Sequence, residues 1–231
     1  MQATAISPTM MEAEQQRFIT KVYGWMCFAL VVTASVALLT VSSPTLANLI
    51  MGNQILFFGL LIGEVVLVGY LAVAVAKMSA STATAVFIGY SALNGLTFSV
   101  IFMAFTAESI ASTFFITAGT FGVMSFYGYV TKTDLTGVGN LCFMGLIGVI
   151  IASVVNFFFK SSMIYWITTY IGIAVFVGLT AYDTQKIKKM NIIGNENTDE
   201  DKKEAIMGAL TLYLDFINLF LMLLRIFGRR R

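Results

Sequence analysis

Residues 209–228 read ALTLYLDFINLFLMLLRIFG, and the fold turns on how this stretch is accommodated. Its length suits a helix that crosses a bilayer, yet Asp215 stands near its middle. A carboxylate there costs roughly 2.5–3.5 kcal/mol on insertion scales, so it must face protein or water rather than lipid. At helical spacing, Thr211, Asp215, Asn218, Met222 and Arg225 fall within one arc of about 80°. Leu212, Phe216, Leu219 and Leu223 lie to one side of that arc, and Tyr213, Ile217, Phe220 and Leu224 lie behind it. The segment therefore carries a narrow polar seam, and the seam must line something.

Composition sets the solvent. Of 231 residues 58% are hydrophobic and 11% charged, with mean hydropathy +0.86, far from the roughly one quarter charged of soluble domains. This is an integral membrane protein. The net charge of +2 is scattered among loops and points to no nucleic-acid partner. There is no histidine, which removes Ser-His catalysis, His-based zinc sites and imidazole switches. With no catalytic set in view, the chain reads as a non-enzyme. Proton sensing would have to come from carboxylates. Cys27 and Cys142 sit singly in apolar runs and read as buried packing thiols rather than a disulfide.

Working outward, six more apolar runs precede the last one: 22–41, 55–76, 84–105, 111–130, 138–159 and 164–182. Residues 1–21 form a polar N-terminal segment with both signs of charge, and 22–228 form one seven-helix membrane domain. Most connections run to under about a dozen residues, so consecutive helices should be antiparallel neighbours. Gly59 and Gly63 make one GxxxG, read as a close helix contact.

The Lys and Arg bias places the N-terminus in the cytoplasm. On that side lie Arg17, Lys21, Lys77, Lys132, Lys186, Lys188, Lys189, Lys202 and Lys203, whereas the opposite loops before the last helix hold only Lys160. The basic tail, 229–231, resists this bias and keeps a re-entrant last segment as an alternative to seven full spans. The charged connection 184–204 reads as a solvated cytoplasmic loop. Calcium binding by Glu196, Asp199, Glu200 and Asp201 lacks the spacing, glycine and terminal glutamate of an EF-hand.

The ionisable groups within or at the edge of spans are Glu64, Asp183, Asp215 and Arg225, and such groups are functional candidates by default. Thr169, Gly172, Phe176, Thr180 and Asp183 share one face of the sixth span, so its stripe can meet the seam of the seventh. Depth opposes the meeting. Asp183 lies about 5–9 Å from the Lys186–Lys189 end and Asp215 about 17 Å from Glu204, so the last helix must stand proud of the membrane or a helix must tilt. Two carboxylates about 4 Å apart repel by roughly 4 kcal/mol at an effective dielectric of 20. Such a pair shares one proton at low pH, loses it at higher pH, and then offers a dianionic oxygen site to Ca²⁺. The other reading is two independent acids, each hydrogen-bonded to a neighbour, and spacing leaves both standing. Glu64 needs a partner from another helix, and Arg225 is the candidate, either as a packing ion pair or as part of a gate.

The runs LYLDFINLFLMLLRIFG and GLTAYDTQKIK, with MSASTATAVFIGYSALNGLTFS and FYGYVTKTDLTGVG in the middle, resemble the bacterial branch of the Bax-inhibitor family, the transmembrane Bax inhibitor motif proteins. The resemblance runs from about Arg17 to Gly228. It implies an all-α fold of seven transmembrane helices, the last central and surrounded by the other six, in the cell inner membrane. It also implies a pH-sensitive calcium leak channel with no tightly bound cofactor, Ca²⁺ as the permeant or transiently bound ion and H⁺ as the partner that acts on the gate. The resemblance pairs Asp183 with Asp215 as pH sensor, gate and candidate Ca²⁺ site, and Glu64 with Arg225 as a supporting ion pair. Seam-lining roles fall to Thr180, Thr211 and Asn218. Family members carry a basic latch at the cytoplasmic end of the second helix. The candidate here is Lys77, displaced and without the bidentate fork of arginine. Two other functions stay open: a regulator of a membrane protease or of a stress or cell-death response, and a proton-coupled secondary transporter.

Overall fold

The computed structural model describes residues 8–231. Among them the regular elements are helical: α1 (Pro8–Ser42), α2 (Pro44–Gly52), α3 (Gln54–Ala74), a 3-10 turn (Val75–Lys77), α4 (Ala80–Ala104), α5 (Ala107–Val130), α6 (Thr136–Phe159), α7 (Ser162–Met190) and α8 (Asp199–Phe227). All but α2 and the turn are long and apolar enough to cross a membrane. The fold is an all-α membrane fold with seven spans.

Its apolar surface says the same. Ile62 is 64% exposed, Val73 82% and Phe158 75%, and only hydrocarbon makes such a surface favourable. Burial differs sharply between helices: 72% of the most apolar stretch of α8 is buried, against 6% of that in α3.

The last helix is long enough to cross. It is one uninterrupted helix of 29 residues, about 43 Å long at 1.5 Å per residue, and exceeds the roughly 30 Å hydrocarbon thickness. Its tail is pinned to the α4–α5 connection. Thr106 N–H donates to the Arg229 carbonyl at 2.9 Å, and Arg231 N–H donates to that of Ala104 at 3.1 Å. The tail thus lies at the end where α5 begins, and the re-entrant alternative has no break in α8 to stand on.

Five details differ from the sequence expectations. Helix α1 begins at Pro8 and carries most of the polar segment 1–21 on its first turns; residues 1–7 of that segment lie outside the described residues. The short α2 is an addition, started by Pro44 behind Ser43, whose Oγ accepts from Leu46 N–H. The connection 184–204 is mostly helix, leaving 191–198 between α7 and α8. Lys188 and Lys189 suit a last turn, and Asp199, Glu200 and Asp201 suit a first turn, because each set opposes the helix dipole. Lastly, Gly59 has open space where a Cβ would stand, Gly63 meets only Leu93 at ordinary contact, and Cys27 is exposed rather than buried.

The chain forms two compact units. One holds the chain up to Met103 together with Ile187–Tyr213, and the other holds Ala104–Lys186 and Leu214–Arg231. In the first unit, Gly95 of α4 lies against Val36 and the Thr33 carbonyl of α1. Thr33 Oγ1 donates to the Ser91 carbonyl at 2.9 Å and is 2.8 Å from the hydroxyl of the fully buried Tyr213. In the second, Gly128 of α5 lies against the Ala181 carbonyl and Gly139 of α6 against the Tyr182 ring. Both glycines are required by close approach, since a Cβ at either would overlap α7.

Candidate functional site

Within the second unit the striped face of α7 meets the seam of α8. Going along the antiparallel pair, Arg225 reaches Thr169, Met222 covers Gly172, and Asp215 meets Asp183. The condition set by depth is satisfied because α8 begins ten residues before the apolar run, at Asp199, and α7 continues past Asp183 to Met190.

Asp183 and Asp215 are both buried, 8% and 5% exposed, and their carboxyl groups are hydrogen-bonded to each other. The second Asp215 oxygen, Oδ2, is buried with no hydrogen-bond partner. A carboxylate can only accept hydrogen bonds, so a carboxyl–carboxyl bond holds a proton on one member. Lys186, one turn beyond Asp183, supplies the nearby positive charge, and Cys142 of α6 lies within electrostatic range of both acids.

The surrounding side chains hold this pair in place. Gln185, only 6% exposed, accepts from Leu135 N–H at 3.0 Å and donates to the Thr133 carbonyl at 2.8 Å, tying α7 to the α5–α6 connection. On the α8 side, Phe216 is clamped edge-on by Phe114 and Phe121, with ring centroids 5.5 and 5.4 Å away. Neither device was anticipated from the sequence. Gln185 is a polar residue two positions from a candidate acid inside a helical run, and that could have flagged it.

These features sit on a chain that matches, over residues 15–231, the family model described as "Inhibitor of apoptosis-promoting Bax1". The chain belongs to the Bax-inhibitor family. It is 54% identical to the inner membrane protein YbhL of Escherichia coli (strain K12), covering 94% of this chain and 93% of that protein. An uncharacterised protein of Borreliella burgdorferi is 46% identical over 94% of each chain, and one of Deinococcus radiodurans is 37% identical over 100% and 98%.

The remaining candidates of this Bax-inhibitor chain have partners within their own units. Glu64, in the first unit, accepts from Thr97 Oγ1 at 2.7 Å. Arg225, in the second, places its guanidinium 5.1 Å from the centre of the Tyr165 ring and 3.5 Å from Thr169 Oγ1. Lys77 ends the 3-10 turn in the first unit and is exposed. Thr180, Thr211 and Asn218 each donate to the carbonyl four residues earlier on their own helix. They supply hydroxyl or carbonyl oxygens to the seam but do not bridge helices by those donors.

The first unit carries a second polar assembly. The charged turns of α1 fasten the α7–α8 connection: Arg17 pairs with Glu196 through two bonds of 2.7 and 2.9 Å, Lys21 pairs with Asp201 at 2.6 Å, and Glu14 accepts from Gly194 N–H at 2.8 Å. Asp201 is 2% exposed, so these contacts pin the connection to α1 while residues 192, 194 and 196–200 stay exposed. Among the described residues no three His, Cys, Asp or Glu side chains gather as a metal site.

Proposed function

We propose that this protein is a pH-sensitive calcium leak channel of the cell inner membrane, with its N-terminus in the cytoplasm, gated by a proton shared between Asp183 and Asp215. The observation that carries the reading is the buried carboxyl–carboxyl hydrogen bond between α7 and α8. With one proton the pair ties the two helices together. Without it, two buried carboxylates face each other, and at about 4 Å they repel by roughly 4 kcal/mol at an effective dielectric of 20. Repulsion favours separation of the helices, and the separated pair presents hard oxygen ligands to Ca²⁺. The inner-membrane location rests on the Escherichia coli relative, an inner membrane protein, and the orientation on the Lys and Arg bias.

The test is Ca²⁺ flux into liposomes holding the full-length protein, measured across pH. Wild type should pass Ca²⁺ faster on the alkaline side of one transition. Asp183→Asn and Asp215→Asn each retain a hydrogen-bonding side chain but cannot share an acid proton, and each should remove the transition. An unchanged flux profile in both variants would sink the gating reading. The same acids also suit a proton-coupled transporter. Uphill Ca²⁺ movement driven by an imposed pH difference would favour exchange, and flux that only follows the Ca²⁺ gradient would favour the leak.

A further inference from the structure

We propose that the first unit binds one phospholipid with a primary-amine headgroup, its phosphate at Lys202 and Lys21 and its ammonium at Asp199. The site is a cleft of about 590 Å³ between the Lys21–Trp25 stretch of α1 and the first turns of α4 and α8, well within the ~300–1,000 Å³ of small-molecule sites. Beside it lies a recess of about 380 Å³ walled by Gly24, Trp25, Phe28 and Ile88. Lys21, Trp25 and Ile88 line both, so charged cleft and apolar recess form one amphipathic groove.

The apolar half names the kind of ligand. Phe28 is 47% exposed and packs edge-on to Trp25 at 5.9 Å, on the apolar helix α1. A recess on such a surface must be filled by hydrocarbon. Trp25, at the junction of the two halves, stands where an indole prefers to lie, between acyl chains and headgroups. An acyl chain in the recess therefore delivers its own headgroup to the cleft.

Charge selects the headgroup. Lys21 is already neutralised by Asp201 at 2.6 Å and can lend a hydrogen bond but little net charge. Lys202 is exposed and has no ion-pair partner among the described residues. Asp199 uses Oδ2 to accept from Ala80 N–H at 3.1 Å, which leaves Oδ1 for a ligand. Asp199 and Lys202 are one turn apart on α8, so their Cβ atoms are about 5–6 Å apart on one face. One cation and one carboxylate at that spacing match a phosphate and an ammonium separated by two carbons. A net-anionic lipid leaves Asp199 facing a like charge. A choline headgroup has no N–H to give it.

The test titrates the full-length protein in mild detergent with phosphatidylethanolamine, phosphatidylglycerol and phosphatidylcholine of matched chains, and reads bound lipid by native mass spectrometry. The ethanolamine lipid should bind about tenfold more tightly than the choline lipid, the effect of one charge-assisted hydrogen bond. Asp199→Asn keeps an oxygen for Ala80 N–H and should erase that preference without weakening the glycerol lipid. Lys202→Gln, at an exposed position, should weaken both. Ile88→Trp should block all three by filling the recess. Chain-free glycerophosphoethanolamine should fail to compete. Equal binding of the three lipids, tightest binding of the glycerol lipid, competition by the chain-free headgroup, or indifference to both charge variants at wild-type melting temperature would each overturn the proposal.

Discussion

Two buried aspartates on α8 have opposite surroundings. Asp201, 2% exposed, has Lys21 at 2.6 Å and the Asn197 N–H at 2.8 Å on the same oxygen. Asp215, 5% exposed, has another acid on one oxygen and nothing on the other. The first carboxylate is charged and satisfied, so it acts as a fastener. The second has no cation or N–H beside it, and that is why the proposed gate is placed there. The comparison teaches that burial alone marks neither as functional. What separates them is whether the neighbours answer the charge.

The sharpest way to break this comparison is to neutralise each acid in turn. Asp215→Asn should flatten the pH profile of Ca²⁺ flux, while Asp201→Asn should leave its midpoint where it is. If the proton on the pair is worth the full repulsion of roughly 4 kcal/mol, flux in wild type should span on the order of a thousandfold across the transition, since each ~1.4 kcal/mol is tenfold. Equal loss of pH response in both variants would erase the distinction drawn between the two sites.

Stability should respond the other way. Asp201→Ala strands Lys21 and an N–H, and for a pair in which Lys21 retains 27% exposure we expect about 2 kcal/mol, below the 3–5 of a fully buried pair. A melting temperature lowered by several degrees in detergent is the measurement. Asp215→Asn should hold or raise that temperature, because it removes a buried acid that has no counter-ion.

Gly128 tests how closely the seam is held. A Cβ there would press into the Ala181 carbonyl, two residues from Asp183, and backbone cannot yield as a flexible side chain can. Gly128→Ala should therefore cost about 1–3 kcal/mol as an overpacked contact. If α7 shifts to relieve it, the flux transition should move as well. A stable variant with an unmoved transition would show that α5 does not position the pair.

Much of this was legible in the chain. The apolar runs reported the seven spans, and the polar positions at helical spacing reported both seam faces, because period and hydropathy are local properties. The docked connection was not legible, since Arg17, Lys21, Glu196 and Asp201 are far apart in sequence and look like solvated charge until α1 is seen to start at Pro8. Close approaches at Gly95, Gly128 and Gly139 were equally hidden, while the GxxxG that looked like a contact is largely open. A glycine marks where approach is allowed, and only the fold decides where it happens.

The smallest effect belongs to the outer member of the fastener. Arg17 and Glu196 have side chains 55% and 33% exposed, and the two bonds from Arg17 hold the Glu196 carboxyl below its ordinary pKa. Because the folded value is the lower one, any stabilisation is complete above the unfolded value and is lost as pH falls through the folded one. Water and salt screen such a pair, so Arg17→Ala should leave the melting temperature within error at neutral pH. A carboxyl-carbon NMR titration of Glu196 is more sensitive: its midpoint should lie below the ordinary glutamate range in wild type and return to it in Arg17→Ala. A midpoint that does not move would mean that Glu196 is tuned by something other than Arg17. The contrast with Asp201 would then rest on the Lys21 contact alone.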